Sequence, residues 1–292
     1  MKRLKLILSI FAIAALSLTF IFISCKKEEI ETEMSINQTE TGQLDIGETA
    51  TAIVTITTEG VKSFKYYKVV DNVKGSAQDA ASALVQNGNT YTYNFSYQIQ
   101  EFDDLATLGF EFELTDNKNL VKTVALAVNV NISVQSMFVK YDWKVIESEW
   151  LGFDVLADHD AAYIYRFDQD GTYEIDMTPT YAGDTHHFCF WVYKETPNNA
   201  DTIAIMRLVR KLKSGDIGVD EYYDYRITSA NESQMTMFWD VAAFGLYNIQ
   251  NTFKSQAKGA FQPYGTVEME AIVNANTALS CSTIDEDLLT IP

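Results

Sequence analysis

Tyr91-Thr92-Tyr93-Asn94-Phe95-Ser96-Tyr97-Gln98-Ile99 decides the fold class of this chain. Its rings and Ile99 occupy the odd positions, and Thr92, Asn94, Ser96 and Gln98 the even ones. Neighbouring side chains of a strand point to opposite faces, so strict alternation describes an antiparallel strand buried on one side. The rhythm recurs in Phe110, Phe112 and Leu114, set against Glu111 and Glu113, and again in Val124, Leu126, Val128 and Val130. Asp116-Asn117-Lys118-Asn119 supplies turn chemistry between those two runs. Upstream, Ala52, Val54 and Ile56 alternate with threonines, and Val61–Val70 is a second β-branched and aromatic run. Gly75–Leu84 is small and alanine-rich, and predicts one or two helical turns. About six or seven short strands within roughly 100 residues predict a two-sheet sandwich over 41–134. The aromatic face belongs in its core, because alternation turns those rings inward.

The hairpin Phe110–Val130, with Thr115-Asp116 at its turn, resembles the immunoglobulin-like modules found near the N-terminus of bacterial surface lipoproteins. The segment has no cysteine or tryptophan, so it departs from antibody-type domains. Asp103-Asp104 and Asp116 stand apart and do not form a cadherin-style calcium motif.

Composition changes after the boundary Asn131–Lys140, because Trp143, Trp150, Trp191, Trp239 and all three histidines lie beyond it. The predicted strands there are Trp143–Trp150, Ala162–Phe167, Thr172–Met177, His186–Tyr193, Thr202–Leu212, Glu221–Ser229, Gln234–Asp240 and Thr266–Val273. Turn signals such as Asp168-Gln169-Asp170-Gly171 and Ala230-Asn231-Glu232-Ser233 separate them. Val241, Phe244, Ile249 and Phe253 are loosely helix-spaced, so Val241–Ala257 reads as an insertion packed over one end. Eight strands over 139–292 predict an up-and-down antiparallel barrel, which removes sheet edges by closing on itself. Trp143-Lys144-Val145, followed by Tyr163-Ile164-Tyr165-Arg166-Phe167-Asp168-Gln169-Asp170-Gly171-Thr172-Tyr173, resembles the lipocalin-like domains of bacterial lipoproteins. Those domains open with a strand tryptophan and carry an F-x-x-D-G-T-Y hairpin; Tyr225–Thr228 leading to Met235–Trp239 is similar to their later hairpin. The expected fold class is therefore all-β: a sandwich followed by a lipocalin-like eight-stranded barrel.

The N-terminus carries a different signal. Lys2, Arg3 and Lys5 precede the apolar run Leu6–Ile23, and Ser24-Cys25 precede Lys26-Lys27-Glu28-Glu29. A positive start, an apolar stretch and a small residue before a break describe an export signal. With cysteine at the break, residues 1–24 resemble a lipoprotein signal, which implies acylation of Cys25, a lipid anchor in the outer membrane, and a flexible tether over 25–40. Cys25–Glu29 is also similar to the start of Bacteroidetes-type surface lipoproteins, which implies display on the cell exterior. An acylated Cys25 leaves Cys189 and Cys281 as an even pair in an oxidising compartment, and predicts a disulfide between them.

The 292 residues carry a net charge of −18, which becomes three units more negative once Lys2, Arg3 and Lys5 leave with the signal. Such a surface repels phosphate backbones, so no nucleic-acid partner is expected.

Motifs for chemistry are sparse. Asp168-Gln169-Asp170-Gly171 starts like a calcium loop, but Pro179 stands where the twelfth-position glutamate belongs, so a hairpin turn is expected. His186 and His187 are neighbours on a strand and cannot share a metal. His159 lies between Asp158 and Asp160 as a loop histidine, and Glu147/Glu149 is one of many chance carboxylate pairs in an acidic chain. No nucleophile elbow, phosphate loop, dinucleotide fingerprint or zinc spacing occurs. The expectation is no catalytic residue, no metal site and no cofactor. Asp201-Thr202-Ile203 resembles a short O-glycosylation motif of Bacteroidetes exported proteins. Aromatic rings stack on sugars and line apolar pockets, so Trp191, Trp239, Tyr165 and Tyr225 are the candidate ligand residues, although rings at such positions also fill small barrels. Two functions follow: binding of a small apolar or glycan-derived ligand, or a structural and adhesive role toward a protein partner in a surface complex, with a solid barrel core.

Overall fold

The computed structural model describes residues 29–39, 42–156, 163–176, 186–196, 199–214, 217–241, 247–261 and 279–292. The signal segment, Cys25, His159 and the predicted strand Thr266–Val273 lie outside them. The chain divides into two units. The first comprises Met1–Leu44, Glu48–Ile99 and Thr107–Asn129; the second comprises Val130–Pro292 together with Asp45–Gly47 and Gln100–Ala106.

The first unit is a sandwich built from β1 (Glu33–Gln38), β2 (Thr49–Thr57), β3 (Val61–Val70), β4 (Val73–Lys74), β5 (Gln78–Asp79), β6 (Val85–Asn87), β7 (Thr90–Gln98), β8 (Leu108–Asp116) and β9 (Val121–Val128). One sheet runs β1-β2-β7-β6 and the other β4-β3-β8-β9, with β5 on β3. This is the ABED and CFG division of an immunoglobulin-like fold. The odd-position residues of β7 do face inward: Phe95 packs on Phe110 with ring centroids 4.6 Å apart and edge-on to Phe112 at 5.2 Å. Phe64, Phe110 and Phe112 are fully buried beside them. Two expectations change. Gly75–Leu84 forms β5 and a single 3-10 turn at Ala81–Ala83 instead of α-helical turns. Glu33–Gln38, expected within the tether, is the edge strand β1, and Met34 and Ile36 pair across to Ile56 and Val54. Thr32, just before it, is anchored by a 2.7 Å hydrogen bond to the buried Asp116.

The second unit is an antiparallel barrel, nearly closed. A short helix, α1 (Val134–Lys140), occupies the expected boundary segment and leads directly into β10 (Tyr141–Trp150). There follow β11 (Phe153–Asp154), β12 (Ile164–Phe167), β13 (Tyr173–Asp176), β14 (His186–Glu195), β15 (Ala204–Ser214), β16 (Ile217–Ala230), β17 (Gln234–Val241) and β18 (Tyr247–Ala257). Among the described residues, β11 pairs with β10 alone, and the other eight pair in the order β13-β12-β10-β18-β17-β16-β15-β14. That is an up-and-down meander in which β18 returns to β10. The end strands β13 and β14 meet at a bridge between Thr172 and Phe190, and the Trp191 amide donates to the Gly171 carbonyl at 2.8 Å. Gly171 sits at φ +83°, a conformation that costs glycine little at this turn.

The eighth strand corrects the sequence reading. Tyr247–Ala257, expected as a helical insertion, is a central strand paired on both sides. Its inward positions are Ile249, Asn251 and Phe253, so a polar residue interrupts the apolar alternation that would have marked it.

α1 stops one end of the barrel. Ser133 caps it by accepting from the Ser136 amide at 3.1 Å, and Asp104 accepts from the Ser133 amide and the Ser136 hydroxyl at 2.7 and 2.6 Å. Phe138 reaches the core formed by Trp143, Phe167, Tyr173, Trp191, Met206, Met237 and Phe253. The indole of the fully buried Trp143 donates to the Phe138 carbonyl at 3.3 Å, which ties plug to wall.

On the outside, residues 279–292 cross β14, β15 and β16 as a strap. A disulfide joins Cys189 to Cys281, as the even pair predicted. Arg207 makes a bidentate pair with Asp224 at 2.6 and 2.8 Å and donates to the Thr290 carbonyl at 2.9 Å. Lys211 pairs with Asp220 and donates to the Thr283 carbonyl.

Candidate functional site

The barrel interior has two halves of different chemistry. On β15 the core residues Ala204, Met206 and Leu208 share a parity, and Arg210 continues it. On β16, Glu221, Tyr223, Tyr225 and Ile227 share the face on which Ile227 enters the core. On β17 the series is Met235, Met237 and Trp239; on β18 it is Phe253, Asn251 and Ile249, cross-paired in register. A bulge between Val145 and Glu147 in β10 resets the pattern, so Ser148 and Trp150 oppose Asn251 and Ile249. The half near α1 is therefore apolar and filled. The half toward Trp150, Asp176, Ser214 and Val241, where strands end, carries Arg210, Glu221, Tyr223, Tyr225 and Trp239.

Arg210 Nε donates to Glu221 Oε2 at 3.1 Å, and its Nη2 donates to the Tyr223 hydroxyl at 2.8 Å. Tyr223 OH is also 3.3 Å from Glu221 Oε2. Side-chain exposure is only 22% for Arg210 and 27% for Glu221. The pair is therefore held in a partly dehydrated setting, where a charge without a partner is costly. Tyr223 meets Trp239 edge-to-face, with centroids 4.9 Å apart, and Tyr225 lies 6.4 Å from Trp239. Burial pushes the Tyr225 phenol up to about 12, against the opposing pull of the Arg210 cation. Among the described residues, three donors in this cluster have no protein acceptor: Arg210 Nη1, the Trp239 indole N–H and the Tyr225 hydroxyl. All three residues are half-buried, so their donors are open to water; the buried indoles of Trp143 and Trp191 instead donate to the Phe138 and Asp168 carbonyls at 3.3 and 3.0 Å.

The four candidate ligand residues thus part company. Trp191 is 6% exposed and packs edge-on to Phe167 at 5.5 Å; it fills the closed half. Tyr165 lies between the halves, stacked with Phe167 and edge-on to Phe253. Trp239 and Tyr225 are in the polar half and are joined there by Arg210, Glu221 and Tyr223, which belong to no sequence motif. Their signal was parity: a charged residue on the same face as Ala204, Met206 and Leu208.

Among the described residues, His187, Cys189 and Cys281 are grouped like metal ligands within 4.8 Å, but the two sulfurs are bonded to each other. Burial lowers the His187 pKa and keeps its ring neutral.

The fold and the site define an all-β protein with a sandwich and an up-and-down barrel. No family model matches the chain, and no curated protein matches it. Among solved structures, Spo0M, a sporulation control protein from Bacillus subtilis, aligns over 88% of this chain and 97% of its own at 10% identity and a TM-score of 0.26. That likeness is too slight to carry an argument.

Proposed function

We propose that this chain is an acylated, outer-membrane, surface-facing lipoprotein whose barrel binds a small apolar or glycan-derived ligand without catalysis. The sandwich serves as the spacer after the lipid anchor. The supporting observation is the divided interior: one half is sealed by apolar packing and α1, and the other is furnished with rings, an ion pair and donors that no described residue engages. Hydrophobic packing alone does not call for such a set, whereas a ligand compartment does. The test is tryptophan fluorescence of the full chain titrated with lipids and oligosaccharides, compared with Trp239→Phe. A response lost in the variant supports the reading. No response to any ligand, or one unchanged in the variant, sinks it. Anchoring is tested separately, by metabolic labelling with an alkyne palmitate; a Cys25→Ala variant that still took up label would refute acylation there.

A second reading is a structural or adhesive surface protein. It is favoured by the β10–β11 hairpin, where Trp150, Leu151 and Phe153 are exposed at 41, 62 and 73%. Substituting Leu151 and Phe153 with serine would then abolish partner capture while leaving ligand titrations unchanged.

A further inference from the structure

The polar half of the barrel also selects among ligand chemistries. We infer that its ligand is a neutral, oxygen-rich ring, a sugar, seated against Trp239 with its oxygens at Arg210 Nη1, the Trp239 indole N–H and the Tyr225 hydroxyl. This rests on the ligand-binding reading above and narrows it.

Charge comes first. An anionic head group would be held by a cation that lacks a counter-charge in the protein. Arg210 already has one, because Glu221 accepts from its Nε at 3.1 Å and the hydroxyl of Tyr223 bridges the two. An added carboxylate or phosphate would face Glu221 inside a partly dehydrated wall, and like charges at such range repel strongly. A neutral ligand meets no such opposition.

Hydrogen bonding favours the same ligand. The three donors without a described partner belong to three side chains on β15, β16 and β17; the Tyr223 and Tyr225 rings lie against Trp239 at 4.9 and 6.4 Å, and the Arg210 guanidinium lies 4.5 Å from the Tyr223 ring centre. An aliphatic chain lying there would strip water from all three and return nothing, at the full desolvation cost of each. A polyhydroxylated ring offers an acceptor at every carbon, and its hydroxyl hydrogens can in turn donate to Glu221. Its C–H face is apolar and suits the indole. One group thus satisfies both the aromatic and the polar demands.

The experiment uses the full chain and three probes: a panel of neutral di- and trisaccharides, palmitate, and inorganic phosphate. The variants are Trp239→Phe, Tyr225→Phe and Glu221→Gln, each checked for an unaltered far-ultraviolet spectrum. The expected result is saccharide binding that weakens at least tenfold in Trp239→Phe and in Tyr225→Phe. Glu221→Gln is the discriminating variant: it leaves Arg210 without its counter-charge, so saccharide binding should fall while phosphate or palmitate binding rises. Palmitate or phosphate bound by the unaltered protein more tightly than any saccharide would overturn the sugar assignment and leave the ligand-binding barrel standing. No binding by any probe would overturn both.

Discussion

Removing the Cys189–Cys281 disulfide tests the account of how the barrel is held. The bond joins β14 to the strap across a sequence separation of 92. Closing a loop of that length in the unfolded chain removes entropy worth about 4–5 kcal/mol on chain-entropy grounds, and native disulfides generally contribute about 2–5 kcal/mol. The other anchors persist without it: Arg207 to Thr290 and Leu288, Lys211 to Thr283, Lys194 to Ile291, and the Asp285 amide to Asp220. Most of the loss should therefore arise in the unfolded state and appear as lowered global stability of an intact barrel. All four tryptophans belong to the second unit, so guanidinium unfolding followed by their fluorescence reports on the barrel alone. The Cys189→Ser/Cys281→Ser double variant and the wild type held in a dithiol reductant should both lose between about 2 and 5 kcal/mol, by the same amount as each other. A loss below about 1 kcal/mol by both routes would refute the reasoning, since it would mean that closing this loop restricts nothing in the unfolded chain.

Three further outcomes are expected. Asp142 is buried and takes two of the three Arg166 bonds, each at 2.7 Å, so Asp142→Asn should remove the guanidinium's counter-charge and cost about 3 kcal/mol, read as a fall in the fluorescence melting curve. Tyr225 holds its proton to about 12 in the folded state because burial disfavours the phenolate. The unfolded chain releases that proton near its ordinary value of 10, so stability falls as pH rises between about 10 and 12; Tyr225→Phe should remove that part of the slope and one late step from the phenolate titration. The Thr32 hydroxyl, with the Leu120 and Lys118 amides, holds the Asp116 carboxyl below its ordinary range. Its contribution to the sandwich is present above the unfolded value and lost as pH falls through the lower folded one, so Asp116→Asn should flatten the acid limb in far-ultraviolet dichroism.

How far the sequence spoke depended on which faces were apolar. β7 and β8 were legible because each has one wet and one dry side, and their period shows without any partner in view. β1 was not: Glu33, Ser35 and Asn37 dilute Met34 and Ile36, and only pairing with Ile56 and Val54 makes it a strand. β15, expected as the strand Thr202–Leu212, is found at Ala204–Ser214, but which of its faces is the inner one is obscure for the opposite reason. Its outer face should be wet, but the strap covers it, so Arg207, Val209 and Lys211 are buried alongside Met206 and Leu208 on the inner one. Alternation vanishes when both faces are covered.

The residues of the polar half fall under the same rule. Arg210 and Glu221 break the apolar series of their own strands, and the parity of either strand taken alone does not suffice to put a charge inside. What places them there is the register across β15 and β16, which sets Arg210 opposite Glu221, Leu208 opposite Tyr223 and Met206 opposite Tyr225. An inward charge is tolerable only if its opposite neighbour neutralises it, so the two readings stand or fall together. Charged residues that keep core parity on adjoining strands, at positions that a hairpin turn would bring face to face, are thus the mark by which a furnished barrel interior differs in sequence from a filled one.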